Sequence, residues 1–396
     1  MKKPTIAIAG AGLAGLVCAR ILQVHGIPTT IYELEASAEA RQQGGSLDIH
    51  DDTGQVAIHE AGLYDEFLKH VHPQGESIRV MDKNAKVYID HIAQGGGNGR
   101  PEIDRKVLRQ MFMDSLDPGT IQWGRKVASV RSAGSGYEID FAEGGAARAD
   151  ILIGADGAWS RVRTLLTTVV PVYTGITAVE FQLSDATVKH PAALATTGPG
   201  SLFALSDNKY IGGHGGDHIM LGGLMRVPET WITDSGIDWR DPHQSRAALL
   251  DVFSDWSPAL TDMIRDCDDD TIWPRPIYAL PTGTTWKHTP GVTLVGDAAH
   301  LMSPFAGEGA NLAMIDGADL ARELLANDDP NTAIQNYEKK MLPRGAKSAA
   351  GSQKSLDTLF VDGPPRKVVA SFRLTIALGT IARPFEKLLG RKEAAS

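Results

Sequence analysis

Apolar runs of strand length and a helical stretch alternate at the start of the chain. Residues 5–9 form a short apolar run, and residues 13–25 predict a helix that Gly26 ends. Residues 29–33 form a second, β-branched run closed by an acid. This order predicts a β-α-β unit whose two strands lie parallel.

The next part of the chain is less regular. Residues 44–110 mix helices and loops, and a helix follows Arg105 as far as about residue 116. Residues 121–130 and 137–141 are typical of a hairpin or meander, and residues 151–153 form another buried apolar strand.

Beyond residue 171 the pattern changes to short alternating segments. These predict strands of a second, mostly antiparallel sheet at residues 178–184, 201–205, 210–213 and 218–225. Helical segments follow between residues 245 and 266. Residues 292–297 return to the apolar pattern of the first part.

A glycine fingerprint, Gly10-x-Gly12-x-x-Gly15, stands between the first strand and the first helix. Gly10 permits a tight turn, Gly12 lets the backbone approach a pyrophosphate, and Gly15 allows close helix–strand packing. Glu33 follows Gly15 by 18 residues, close to the spacing of roughly 20 expected for a ribose-binding acid. The fingerprint predicts a dinucleotide site but does not separate NAD from FAD.

Two further acids point to the longer of these ligands. Asp156 and Asp297 each follow a buried apolar strand and adjoin a glycine, and ligands of open α/β sheets gather at the carboxyl ends of strands. Asp156 alone is equally well explained as a turn or cap residue. After Asp297, a loop with Gly307 and Gly309 begins a helix whose N-terminal amides would face the redox end of a cofactor. We therefore expect FAD.

The predicted fold is α/β, with a Rossmann-like FAD-binding domain, a smaller, mostly antiparallel substrate-binding sheet and a C-terminal helix. The expected FAD-binding domain is discontinuous, residues 1–171 and 272–330, and the substrate-binding domain covers residues 172–271. Residues 331–396 form a helical segment. Basic residues in its last part suit a helix docked on the domain or one lying on a membrane surface.

Composition narrows the classes of function. The 396 residues are 42% hydrophobic and 22% charged, with a net charge of −9, which is ordinary for a globular protein and disfavours nucleic-acid binding. Two cysteines cannot form a disulfide framework and suit the cytoplasm. No apolar stretch is long enough to span a membrane, and no His/Cys cluster has metal-ligand spacing, so we expect neither a membrane span nor a metal.

Three segments together resemble the signatures of single-component, FAD-dependent aromatic monooxygenases of the para-hydroxybenzoate hydroxylase type. They are the glycine fingerprint, Gly154-Ala155-Asp156-Gly157 with Arg163, and Gly296-Asp297 with Pro304. Within that group the chain is most similar to the tetracycline-inactivating monooxygenases of the TetX type, through residues 41–50, 101–109 and 300–309.

The resemblance implies a set of cofactor contacts. Asp48, Arg105 and Asp297 would contact FAD, with Asp297 on the ribityl chain, and Arg41 would serve the flavin or the incoming nicotinamide nucleotide. Asp156 would lie where the two nucleotides approach. No second dinucleotide fingerprint is evident, as in family members that bind NAD(P)H only transiently.

Substrate residues are expected mainly on the second sheet, where the chain departs from the tetracycline enzymes. Glu180 stands at the position of a glutamine, Met220 near that of a histidine, and an arginine has no counterpart. Glu180 and Gln182 share the polar face of their strand, which either lines the substrate cavity or faces solvent. Phe203, Met220, Pro304 and Phe305 are candidate pocket walls, although apolar side chains there also suit a plain core.

The sequence thus predicts a cytoplasmic, monomeric monooxygenase that uses NAD(P)H and O2 to hydroxylate an aromatic or polycyclic small molecule, tetracycline-like compounds included. By the resemblance, a flavin C4a-hydroperoxide would transfer the oxygen, and no catalytic side chain is assigned. Two alternatives stay open: a flavin oxidase or reductase that does not oxygenate its substrate, and a flavin-bound protein that sequesters a planar ligand.

Overall fold

The computed structural model describes residues 4–40, 45–71, 77–92 and 100–376. Its strands are β1 Ile6–Ala9, β2 Thr29–Tyr32, β3 Ser46–Asp48, β4 Ile78–Met81, β5 Val87–His91, β6 Glu102–Asp104, β7 Ile121–Gln122, β8 Val127–Ala133, β9 Gly136–Phe141, β10 Ala146–Ala149, β11 Ile151–Gly154, β12 Val172–Leu183, β13 Ser201–Ser206, β14 Lys209–His214, β15 Ile219–Arg226, β16 Trp273–Ala279 and β17 Val292–Leu294.

The helices alternate with these strands. They are α1 Leu13–Val24, α2 Gly54–Glu60, α3 Tyr64–Phe67, α4 Arg105–Asp114, α5 Ala186–Lys189, α6 Pro191–Thr197, α7 Trp231–Asp234, α8 Pro242–Val252, α9 Pro258–Arg265, α10 Asp297–His300, α11 Gly309–Ala326 and α12 Pro330–Leu359. Residues 366–376 are also helical.

The chain forms two compact units. The first comprises Met1–His72, Arg100–Thr174 and Ile277–Ser355, and the second Pro73–Gly99, Gly175–Pro276 and Leu356–Ser396. Each unit has its own apolar core.

A five-stranded parallel sheet, in the order β17-β11-β1-β2-β7, organises the first unit. Strands β1 and β11 are buried along their whole length, which explains why their sequences are uniformly apolar. Helix α1 packs closely on α11, because Gly317 brings the two backbones together: a Cβ at Gly317 would lie 2.3 Å from the Ala14 carbonyl oxygen. The predicted mixed α/β class is confirmed.

A seven-stranded sheet, in the order β16-β12-β15-β14-β13-β4-β5, organises the second unit. On β12 the side chains alternate as expected: Val179, Phe181 and Leu183 are buried in the core, while Glu180 is exposed. Helices α8 and α9 contribute Leu249 and Ile264 to the same core, and Phe253, directly after α8, belongs to it as well.

The units divide the chain differently from the expected domains. Residues 44–110 were expected in the FAD-binding domain, yet β4 and β5 belong to the second unit, because β4 pairs with β13 more than 100 residues later. The segment 121–130 is split: β7 joins the parallel sheet, and only β8 forms a hairpin with β9. The C-terminal segment is divided too, because α12 belongs to the first unit as far as Ser355.

Candidate functional site

Four adjacent strands of the parallel sheet lead into candidate binding residues. Gly10 follows the end of β1 and Glu33 the end of β2, β11 ends two residues before Asp156, and β17 leads through Gly296 to Asp297. Because these strands are neighbours and parallel, their carboxyl ends share one edge of the sheet. The structure therefore gathers at one edge the four positions that the sequence pointed to separately.

The glycine loop has no room for side chains at two positions. Gly10 has φ +99°, and a Cβ there would lie 2.4 Å from the Ala155 carbonyl oxygen on the neighbouring strand end. A Cβ at Gly15 would lie 2.5 Å from the Gly10 carbonyl oxygen. Gly12 precedes the first residue of α1, and no side chain caps that helix. Its first amides are therefore available to an anion such as a pyrophosphate.

Glu33 is buried beside this loop. One carboxylate oxygen accepts a hydrogen bond from the Ala11 amide at 2.6 Å, and the other accepts from the Glu35 amide at 3.1 Å. On the other side, the buried guanidinium of Arg109 donates through Nε to the Ala11 carbonyl at 3.0 Å. The loop backbone is thus held from both sides, and Glu33 is fixed where a ribose-binding acid is expected.

Asp156 acts as a cap for the turn that follows it. Its carboxylate accepts from the Ser160 hydroxyl at 2.5 Å, from the Arg161 amide at 2.6 Å and from the Val162 amide at 3.3 Å. Burial nevertheless outweighs these donors and raises the pKa of Asp156 above its ordinary value. Its carboxylate is therefore engaged within the protein, which supports the cap interpretation left open by the sequence.

Asp297 lies at the exposed end of a tightly held turn. Gly296 adopts φ +60°, and its amide donates to the buried carboxylate of Asp316 at 3.0 Å. The same Asp316 oxygen accepts from His300 Nε2 at 2.5 Å. The Asp297 side chain itself points to solvent and forms no hydrogen bond with the part of the chain that the structure describes. The turn therefore presents a free carboxylate on a fixed support.

The pair between His300 and Asp316 is buried. Burial lowers the pKa of His300, but the adjacent Asp316 carboxylate outweighs burial and raises that pKa above its ordinary value. Burial likewise raises the pKa of Asp316, but His300 and Arg344 outweigh it and hold that pKa below its ordinary value. His300 thus forms a structural hydrogen bond, and it supports the turn that carries Asp297.

Asp48 lies near the Gly307 turn. A Cβ at Gly307 would lie 3.9 Å from one carboxylate oxygen of Asp48, and the other carboxylate oxygen lies 3.0 Å from His50 Nε2. The buried side chain of Asn311 donates to the Asp48 carbonyl at 2.8 Å and accepts from the His50 amide at 2.9 Å. Asn311 thereby ties the end of β3 to the first turn of α11.

The N-terminus of α11 is open. Gly307 has φ +70°, and the helix begins at Gly309 with Glu308 as its N-cap residue but without a side-chain cap. By contrast, Asp104 caps α4 and Asp241 caps α8. A Cβ at Gly309 would meet no atom within 4 Å. The first amides of α11 therefore lie beside open space and suit a ligand that carries negative charge.

The other cofactor and loop candidates are placed less informatively. Arg41 lies outside the described residues. Arg105 is the first residue of α4, half-buried, and its amide donates to the Gly45 carbonyl at 3.0 Å. Pro304 is exposed and Phe305 half-buried in the 3-10 turn Pro304–Ala306 that leads to Gly307.

The substrate candidates of the second unit share one face of its sheet. Through the register, Glu180 pairs with Gly222, Gly222 with Gly212, and Gly212 with Phe203, so Glu180 and Phe203 lie in one cross-strand row. Met220 lies in the next row of that face.

Glu180 and Phe203 have different environments on that face. The exposed Glu180 forms an ion pair with Arg275 at 2.8 Å. Phe203 stacks with Tyr210 at a centroid distance of 5.8 Å and contacts Phe372 at 5.2 Å. The face thus combines one charged position with an aromatic cluster.

Other kinds of site find no support among the described residues. No group of histidine, cysteine or acidic side chains there could hold a metal ion. Both cysteines are buried, and burial raises the pKa of the Cys18 thiol to about 12, so this thiol is not a nucleophile. Within the same described ranges, no helix is long and apolar enough to cross a membrane.

Sequence reasoning did not assign Arg109, Asn311 or Asp316 to the site. Arg109 lies within a recognised motif, and Asn311 follows Gly309 by two residues, so both carried a local signal. Asp316 carried none, because its partners His300, Gly296 and Arg344 are 16, 20 and 28 residues away.

Comparison with known proteins agrees with this geometry. The family described as "FAD binding domain" matches residues 3–210 and 282–352. The monooxygenase penA of Penicillium thymicola is 31% identical over 402 aligned positions, covering 87% of this chain and 92% of penA.

Solved structures show the same fold. HpxO of Klebsiella pneumoniae, in complex with FAD and uric acid, superposes with a TM-score of 0.75 at 21% identity, covering 96% of this chain and 93% of HpxO. The tetracycline destructase Tet(55) superposes with a TM-score of 0.72 at 19% identity, covering 95% of each chain. The predicted enzyme class and the predicted FAD cofactor are confirmed, and this chain belongs to the family of FAD-dependent monooxygenases.

Proposed function

We propose that this protein hydroxylates an aromatic or polycyclic small molecule with O2 and electrons from NAD(P)H. The observation that carries the proposal is the shared strand edge, where a glycine loop, Glu33 and Asp297 meet the requirements of a long anionic cofactor. When bound, FAD accepts a hydride from the nicotinamide and activates oxygen for insertion.

The protein's part is to bind and orient the cofactor. The amides that follow Gly12 would hold the pyrophosphate, Glu33 a ribose, and Asp297 the ribityl chain. Asp48, Arg105 and Arg41 would complete the FAD site. The open amides from Gly309 onward would stabilise negative charge on the flavin ring. Asp156 would shape the turn beside the approaching nucleotide.

The substrate is proposed from the sheet of the second unit and from the relatives. Glu180, Phe203 and Met220 share one face, where an aromatic cluster and an acid suit a ring that carries a phenol or a basic nitrogen. Pro304 and Phe305, on the loop before α11, are separate candidates for substrate contact in the first unit. HpxO was solved with uric acid and Tet(55) is a tetracycline destructase, so purines and tetracyclines belong in the first screen. We further propose a monomeric, cytoplasmic enzyme.

The test begins with the purified protein and its flavin spectrum. NADPH and NADH oxidation are then measured in air with a panel of phenols, purines and tetracyclines. We expect one class to stimulate oxidation and to yield a product heavier by one oxygen atom, labelled when 18O2 is supplied. Stimulated oxidation without labelled product would identify an oxidase or reductase. Tight ligand binding without turnover would identify a sequestering protein.

A variant connects this activity to the site. Asp297→Ala removes an exposed carboxylate without breaking any internal hydrogen bond in the described residues, so the fold should persist while FAD affinity falls about tenfold, the size expected for one charge-assisted hydrogen bond. Asp270→Ala, which removes an exposed carboxylate from the turn Asp269–Thr271 of the second unit, is the control and should bind FAD like the original protein. Equal FAD affinity in both variants would remove Asp297 from the proposed site.

A further inference from the structure

Helix α12 carries three polar side chains at every fourth position, Arg344, Ser348 and Ser352. Residues at this spacing lie on one face of a helix. Arg344 donates to Asp316 at 2.9 Å and to Asp319 at 2.6 Å, and both acids belong to α11. The stripe therefore faces the helix whose N-terminus is open.

The two serines of the stripe hold the ends of the loop that precedes α11. The Ser352 hydroxyl donates to the Ser303 carbonyl at 2.5 Å and lies 2.6 Å from the Ser303 hydroxyl. The Ser348 hydroxyl donates to a carboxylate oxygen of Glu308 and contacts Met302 Sδ at 3.3 Å. Both serines are buried. A buried hydroxyl is favourable only when it is hydrogen-bonded, so these contacts account for serine at both positions.

The contact with Ser348 determines where the charge of Glu308 lies. Glu308 is the N-cap residue of α11, and a carboxylate beside free helix amides is drawn to them. In the structure no side chain caps α11, and the Glu308 carboxylate is bonded to Ser348 of α12 instead. The amides from Gly309 onward consequently stay available to a ligand.

We propose that Ser348 is a positioning residue for the flavin: by holding the Glu308 carboxylate on α12, it keeps the N-terminus of α11 free to stabilise negative charge on the ring. Ser352 supports the same arrangement by fixing the other end of the loop at Ser303. This inference rests on the proposed function, because it assigns the flavin ring to the N-terminus of α11. In Ser348→Ala, the released carboxylate competes for the amides and opposes an anionic ring.

Sulfite binding to the oxidised, FAD-loaded protein tests this directly. Sulfite donates its electron pair to form a bond with N5 of the flavin, and the ring becomes an anion, so sulfite affinity reports the field around the ring without any substrate. We expect Ser348→Ala to weaken sulfite affinity at least about fivefold, as for the loss of a helix-terminus interaction. FAD affinity should change less than about twofold, because the glycine loop and Glu33 stay intact. Ser352→Ala should act in the same direction.

Two further variants separate positioning from general damage. Ser348→Ala combined with Glu308→Gln removes the competing charge, so sulfite affinity should return to within about twofold of the original value. Ser355→Ala changes a half-buried hydroxyl of α12 that does not contact the loop, and should leave sulfite affinity unchanged. Alanine favours helix over serine, so folding should persist. Should Ser348→Ala nevertheless not fold, Ser348→Cys, which keeps the side-chain volume and weakens the hydrogen bond to Glu308, replaces it with the same expected fall in sulfite affinity.

The outcomes distinguish the inference from the function beneath it. Original sulfite affinity in Ser348→Ala, or no recovery in the double variant, overturns the positioning role and leaves the monooxygenase proposal standing. A protein that takes up no FAD under any condition overturns both.

Discussion

The carboxyl edge of the parallel sheet differs in what fixes its residues from the candidate substrate face, the face of the seven-stranded sheet that carries Glu180, Phe203 and Met220. At the edge, candidate residues are fixed by the backbone: Gly10 has no space for a Cβ, and Glu33 accepts two amide hydrogen bonds. On the candidate substrate face, Glu180 is exposed and forms an ion pair with the exposed Arg275. The edge is held by backbone contacts, whereas the exposed Glu180 can change without disturbing the apolar core of its unit.

Under the proposed function, this difference separates the residues that bind the cofactor from those that select the substrate. A dinucleotide makes the same demands on the glycine loop in every protein that binds it, so the backbone must keep one conformation there. A substrate only has to be accommodated by side chains on a stable sheet. Here the buried face of β12 packs into the apolar core of the second unit. The row containing Glu180 and Phe203 contributes no side chain to that core.

The edge should be most sensitive to the loss of Asp316. Asp316→Ala leaves the buried His300 and the half-buried Arg344 without their shared carboxylate and releases the Gly296 amide, and breaking a buried ion pair costs about 3–5 kcal/mol. We expect a large fall in the urea midpoint together with weaker FAD binding. Glu66→Ala, which removes an exposed pair with Lys69, is the control and should cost at most about 1 kcal/mol. Similar midpoints for both variants would contradict a supporting role for Asp316.

Substitutions at two glycines with similar φ separate the cost of crowding at the edge from the cost of a positive φ alone. Gly10 and Gly144 have φ +99° and +89°, but only at Gly10 would a Cβ meet the backbone, 2.4 Å from the Ala155 carbonyl. Gly144→Ala should cost about 1–2 kcal/mol from backbone strain alone. Gly10→Ala adds overpacking of about 1–3 kcal/mol and displaces the loop from Glu33, so FAD binding should be lost as well. Thermal unfolding and FAD titration of both variants give the comparison.

The sequence predicts the edge because its signals are local. The fingerprint lies within six residues, and an acid directly after an apolar run marks the end of a parallel strand, as with Asp297. Strands β4 and β5 escaped prediction for the opposite reason. Their place in the second sheet depends on pairing between Ile78–Met81 and Ser201–Ser206, which no local pattern reveals.

The supporting contacts were equally hidden. Asp316 reads as an ordinary helix residue until α11 packs beneath the turn at Gly296, and the partners of Ser348 and Ser352 are 40 and 49 residues away. On β12 the alternation correctly separated Glu180 from the core, but the ion pair with Arg275 joins positions 95 residues apart. Local patterns thus find groups that meet a ligand, while the groups that hold them require the tertiary structure.

The His300–Asp316 pair gives the edge a pH dependence. The raised pKa of His300 stabilises the fold fully below the ordinary histidine value of 6.5, and this contribution is lost as the pH rises through the raised value. The lowered pKa of Asp316 contributes fully above its ordinary value of 3.8 and is lost as the pH falls through the lowered value. Both contributions are therefore complete between these two ordinary values.

We expect stability to decline from about pH 6.5 upward, by about 1.5–3 kcal/mol in total, the usual worth of a hydrogen bond to a charged group. His300→Gln cannot take up a proton, so its decline over the same range should be shallower. Urea unfolding at several pH values measures both slopes. An unchanged slope in His300→Gln would assign the decline to other groups.

The smallest effect on stability is expected on the candidate substrate face. There Glu180→Gln should lower the free energy of unfolding by less than about 1 kcal/mol, because the pair with Arg275 is exposed. Asp262 provides a matched control: it is about as exposed as Glu180 and is also paired with an arginine, but it lies on α9. Both variants should melt like the original protein. If the candidate substrate face binds the substrate, Glu180→Gln should raise KM for the compound that stimulates NAD(P)H oxidation, and Asp262→Asn should leave it unchanged. Equal KM values in the two variants would show that Glu180 does not contact the substrate. Pro304 and Phe305 would then be the substrate candidates to test next. A rise confined to Glu180→Gln, at constant stability, would show that substrate choice in this chain can change while the cofactor edge stays as it is.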